Sequence, residues 1–186
     1  MKNLADTPIA TDAAETLRRW QARDAELAAC AAPIGLARLE QIADKTGLQM
    51  FQAMLAGELP RPPITTTLQF SLVEAAHGHA QFQGRPAFEH YNPLGSVHGG
   101  WMATLLDSCV GCAVHTLLQP GKAYTTLELK VNFVKALSER VPLVRAIGDV
   151  IHAGSRVATA EGRLVGPDGT LFAHATTTCM ILRADG

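Results

Sequence analysis

The chain has 186 residues, a net charge of −1, and 47% hydrophobic against 18% charged residues. That length holds one domain with a modest addition, and the low charged fraction points to surface buried against a second subunit. No basic run could neutralise a row of phosphates, no apolar window approaches the roughly 18 residues of a membrane span, and the N-terminus lacks a signal-length apolar core. The expectation is therefore a soluble, cytoplasmic protein that binds neither nucleic acid nor membrane.

Residues 1–10 carry no pattern. Residues 13–32 are rich in Ala, Leu, Arg and Glu and predict a helix, with Thr11 and Asp12 as caps. Residues 36–56 have helical apolar spacing, interrupted near Gly47, and Gly57 with Pro60, Pro62 and Pro63 ends it. Residues 65–74 are Thr-rich with aromatic and branched residues and predict a strand; Gly78 turns into a returning strand at 79–83. His77 and His79 flank that turn, where metal binding is disfavoured. Residues 99–118 are apolar on nearly every side, as in a buried helix of about five turns. From there the period is two. Leu127, Leu129, Val131 and Phe133 alternate with Thr126, Glu128, Lys130 and Asn132, and further strands follow at 141–152, 156–165 and 170–182 around Gly154-Ser155 and Pro167-Asp168-Gly169 turns. A long antiparallel sheet curled around one apolar helix is the simplest way to bury that helix.

The four cysteines are too few for a disulfide scaffold. Cys109 and Cys112 lie inside the apolar helix without a second pair and read as small core residues.

The informative stretch is Asn92-Pro-Leu-Gly-Ser-Val-His98-Gly99-Gly100-Trp-Met-Ala-Thr-Leu-Leu-Asp107. A loop ends in His-Gly-Gly and the buried helix begins. The first amides of a helix lack internal partners and carry partial positive charge, and glycine lets a ligand oxygen approach closely. Gly99 N–H is thus a candidate oxyanion donor. Asp107 falls two turns inside, among Leu105, Leu106, Cys109 and Val110. A carboxylate there costs several kcal/mol unless partnered. On the residues alone, catalysis and a buried structural hydrogen bond both stay open.

The pattern N-x5-H-G-G-x7-D at Asn92, His98, Gly99, Gly100 and Asp107, with the strand Tyr-Thr-Thr126-Leu-Glu-Leu-Lys-Val-Asn-Phe, resembles the hotdog-fold thioesterases of the phenylacetate-pathway (PaaI) type over residues 64–182. The resemblance implies an α+β hotdog fold, with a curved antiparallel sheet around a long central helix. It also implies a homodimer or homotetramer with its active site at the dimer interface, Asp107 of one chain facing Gly99 of the other. The implied activity is hydrolysis of an aromatic or medium-chain acyl-CoA. Asp107 would act as general base or as nucleophile, Gly99 N–H would polarise the thioester carbonyl, and Asn92 would orient water or Asp107. His98 would hold the loop, and Thr126, with Thr125 competing, would offer a hydroxyl. Asn92 before Pro93 also fits a plain turn residue, and Thr126 a plain strand residue. No metal and no cofactor are expected, coenzyme A being part of the substrate. Its phosphates would meet Arg156 first, with Lys135 and Arg140 behind it. Trp101 and Phe88 fit either an acyl pocket or the core, and Glu128 a cross-strand pair.

Residues 1–63 exceed the minimal fold and are expected to form a helical extension to a domain at 64–186, covering the acyl pocket or extending the subunit contact. Two rival readings remain: a hotdog hydratase or dehydratase, and an acyl-CoA-binding module without hydrolysis.

Overall fold

The computed structural model describes residues 12–183; residues 1–10 and the proposed cap Thr11 lie outside them. Helix α1 (Ala13–Cys30) is capped by Asp12, whose carboxylate accepts from Ala14 N at 3.0 Å. A single helical turn, α2 (Leu39–Ile42), precedes α3 (Gly47–Leu55), which starts on Thr46: its hydroxyl accepts from Gln49 N, and Gln49 answers on the Thr46 amide. Gly57 then takes φ 76°, a left-handed C-terminal position. The predicted strand at 65–74 is corrected at its front. Ile64–Thr67 is a helical turn, α4, because Pro63 presets a helical φ and the Thr65 hydroxyl and amide both bond Pro62 O. Gln69, at φ 51°, reverses the chain into β1 (Phe70–Ala76).

The strands β1, β2 (His79–Gly84), β3 (Lys122–Phe133), β4 (Val144–Ala153), β5 (Val157–Val165) and β6 (Leu171–Arg183) make one antiparallel sheet in the order β1-β2-β4-β5-β6-β3. Helix α5 (Gly99–His115) touches all six strands, so the sheet curls around it. Leu105, Leu106, Cys109, Val110, Ala113 and Val114 are fully buried and centre the core. The sheet does not close. Its edges, β1 and β3, leave a seam along α5.

The N-terminal helices lie against the β1 side. Arg145 of β4 stacks on the Trp20 ring at 4.8 Å and donates to Gln83 Oε1, while Gln83 Nε2 donates to Trp20 O. Arg23 Nε reaches Val73 O at 3.0 Å. No helix among the described residues is long and apolar enough to cross a membrane.

Candidate active site

The loop Tyr91–His98 is built from its own polar groups. The Asn92 Oδ1 accepts from Leu94 N and Ser96 N, and Nδ2 donates to Ser96 Oγ. Its amide is therefore engaged in the turn rather than with Asp107. His98 N donates to His90 O at 2.7 Å, and Val97 N to Leu137 O at 2.9 Å. His98 caps α5, its Nδ1 accepting from Gly100 N at 2.8 Å. That leaves Gly99 N–H at the helix start without an acceptor among the described residues. A Cβ on Gly99 would meet the Phe133 ring at 2.9 Å, so the glycine also admits Phe133.

Asp107 is only half-buried, where a position inside an apolar helix predicted full enclosure. It lies on the side of α5 that faces the edge strand β3. The Thr126 hydroxyl donates to Asp107 Oδ1 at 3.2 Å; Thr126, not Thr125, is thus the threonine brought to the acid. Asp107 and Gly99 lie eight residues apart on one helix, about 12 Å along its axis.

The remaining candidates spread out. Arg156 is exposed at the β4–β5 turn, level with Tyr124 in the sheet: Ile181 N donates to Arg156 O, and Ile181 pairs with Tyr124. Lys135 and Arg140 are exposed beyond the other end of β3, beside the loop that leads into α5. Trp101 is core, 4% exposed, its Nε1 donating to Leu68 O, whereas Phe88 is 73% exposed and is neither core nor cavity wall. Glu128 accepts from Thr178 Oγ1 across the β3–β6 ladder. His79 Nδ1 pairs with Asp149 Oδ1 at 2.7 Å.

Sequence reasoning missed the neighbours of the acid. Tyr124, two residues before Thr126 on the same face of β3, lies over Gly111, one turn beyond Asp107; a Cβ on Gly111 would come within 2.6 Å of the Tyr124 hydroxyl. Cys112 joins Cys109 in the helix but not in the core: it flanks Tyr124, and burial pushes its thiol up to about 12. His115, the next residue in this column, is held neutral by burial, its pKa lowered, with its ring 5.6 Å from Tyr124. The four-residue spacing Asp107-Gly111-His115 was the legible signal.

Comparison with known proteins agrees with this architecture. Residues 94–173 match the thioesterase superfamily. An inferred thioesterase from Ralstonia eutropha JMP134, a phenylacetic acid degradation-related protein, is 30% identical, with a TM-score of 0.64 over 70% of this chain and 98% of the other. A thioesterase from Haemophilus influenzae, 16% identical, shares the fold with a TM-score of 0.63 over 77% of this chain and 96% of its own. An inferred esterase from Halobacterium salinarum is 37% identical over 84 residues, 44% of this chain and 54% of that protein. The chain thus spans about half the length of this curated relative. The protein belongs to the hotdog-fold thioesterase superfamily, and its likeness to the phenylacetic acid degradation-related protein runs across nearly all of that chain.

Proposed function

We propose that the protein is an acyl-CoA thioesterase, hydrolysing an aromatic or medium-chain acyl-CoA to the free acid and coenzyme A at a site shared by two subunits. One observation carries this reading. The half-buried Asp107 is held by Thr126 on an edge strand, while the free Gly99 amide lies about 12 Å away along the same helix. One chain cannot place both on a single carbonyl. Two chains paired through β3 bring the acid of one to the amide of the other. That edge is long and presents Leu127 and Phe133, both more than half exposed, as an unprotected edge strand does when a partner covers it.

In the reaction, the thioester carbonyl oxygen takes the Gly99 N–H bond, which strengthens as charge builds on it. Asp107 either removes a proton from the attacking water or attacks the carbonyl itself, forming an anhydride that water opens. Coenzyme A leaves as the thiolate and is protonated. Thr126 fixes the carboxylate, and the His98 cap keeps the helix entrance rigid. Arg156, with Lys135 and Arg140, supplies exposed positive charge for the coenzyme A phosphates.

Thiol release from hexanoyl-, palmitoyl-, benzoyl- and phenylacetyl-CoA tests the reading. Stoichiometric thiol and free acid are expected from at least one. Tight binding of every acyl-CoA with no thiol released would make the chain a binding module, and altered acyl carbons with an intact thioester would make it a hydratase.

A further inference from the structure

The N-terminal helices enclose, with the seam, a cavity of about 550 Å³. Leu27 and Ala28 of α1, Met54 of α3, Leu72 of β1, His115 of α5 and Tyr124 of β3 all line it. β1 and β3 are opposite edges of the sheet, so the cavity sits where the curled sheet fails to close. The preceding helices roof that gap.

The cavity and the acid share one side of α5. Asp107, Gly111 and His115 follow at intervals of four, and Thr126 and Tyr124 of β3 lie opposite them. The line from Asp107 to His115 is about 12 Å long. Tyr124, close against the small Gly111, lines the cavity, whereas Asp107 and Thr126 stand outside its lining.

The lining is largely apolar and adaptable, with Asp24, Arg61 and Arg85 the charged side chains at its wall. His115 Nδ1 is buried without a partner among the described residues, and burial lowers the pKa of the ring. The Arg61 guanidinium at the wall is engaged by Ala32 O. Methionine side chains reshape around flexible ligands at little cost. A single aromatic ring fills a cavity of about 150 Å³, so a compact aryl group would leave most of this one empty.

We infer that this cavity is the acyl-chain subsite. It accepts an aliphatic chain of medium length that runs from the thioester carbonyl at Asp107, past Tyr124, to the space under α1 and α3. The N-terminal helices thereby set chain length and disfavour benzoyl and phenylacetyl groups. This inference rests on the thioesterase reading and narrows it.

The test is kcat/KM over even-numbered acyl-CoAs from acetyl to tetradecanoyl, with benzoyl- and phenylacetyl-CoA, for wild type, Ala28→Trp and Met54→Trp. Ala28 is exposed on α1, so its variant keeps the fold, and thermal melting checks both. Wild-type kcat/KM is expected to climb by about fourfold per methylene up to medium length. Both variants lose tenfold or more (about 1.4 kcal/mol) on the longest chains. Acetyl-CoA, which does not reach beyond Tyr124, is unchanged. Identical chain-length profiles in all three proteins, or a wild-type preference for the aryl thioesters, would overturn the inference and leave the hydrolase standing. No thiol from any substrate in wild type would instead defeat the hydrolase reading, and this inference with it.

Discussion

Gly148 of β4 and Gly162 of β5 face each other across the sheet, directly beneath Cys109 and Val110 of α5. They let the helix settle onto the sheet, and the two positions are not equivalent. A Cβ on Gly148 would stand 2.5 Å from the Cys109 carbonyl carbon and 2.9 Å from Val110 N, both backbone atoms. A Cβ on Gly162 would meet Val110 Cγ1 at 2.7 Å and Cys109 Sγ at 3.1 Å, which are side-chain atoms. Side chains yield for about 1–3 kcal/mol, whereas backbone yields only if the helix moves. Gly162→Ala also recovers about 0.5–1 kcal/mol by replacing glycine in a strand. Gly148→Ala is therefore expected to cost about 3 kcal/mol or more and Gly162→Ala about 1 kcal/mol. For a chain of this length the first lowers Tm by about 6–12 °C. Because Asp107 lies two residues before Cys109, lifting the helix also draws the carboxylate from Thr126, so activity falls in the folded fraction. Urea unfolding of both variants measures the difference. A Gly148→Ala protein within about 0.5 kcal/mol of wild type, or no weaker than Gly162→Ala, would refute the close helix–sheet approach.

Thr126→Val removes the hydroxyl on Asp107 and is expected to lower kcat by about tenfold with KM little changed, since a hydrogen bond to a charged group contributes about 1.5–3 kcal/mol; unchanged kcat would reduce Thr126 to a strand residue. His90 and His115 both have pKa values lowered by burial, so the unfolded chain binds the protons first. Stability should accordingly hold above the ordinary histidine pKa of about 6.5 and fall as pH drops from there toward the lowered folded values. Melting temperatures between pH 8 and 5 check the sign, and His115→Phe should flatten the slope. Of the four cysteines only Cys30 is exposed, while Cys109, Cys112 and Cys179 carry raised thiol pKa values from burial. A thiol reagent should therefore label one cysteine quickly and the rest only on unfolding; fast labelling of two or more would contradict the enclosure of Cys112.

Local pattern carried far in this chain. The alternation from Thr126 to Phe133 and the Pro167-Asp168-Gly169 turn gave β3 and the β5–β6 hairpin, and the apolar run after Gly99 gave α5, because period and burial are local properties. Thr65 to Thr67 misled because threonine favours strands, whereas the two prolines before it preset a helical turn. The loop asparagine, the histidine-glycine-glycine helix start and the acid were visible in sequence. The acid's half-exposure was not, since it depends on where the edge strand β3 lies against α5. The cavity was equally hidden: Leu27, Leu72 and Tyr124 are distant in sequence and come together only when the sheet curls and α1 docks through Trp20, Gln83 and Arg145.

The most direct test of the account is steady-state thiol release by Asp107→Asn beside wild type, on the best acyl-CoA of the panel, with melting temperature and acyl-CoA binding measured on the same preparations. Asparagine keeps the size of the side chain and an oxygen for Thr126 but can neither take a proton from water nor attack the thioester. The account predicts unaltered stability and binding with kcat reduced by about 100- to 10,000-fold. A kcat within a few-fold of wild type would contradict it and leave Asp107 a structural carboxylate.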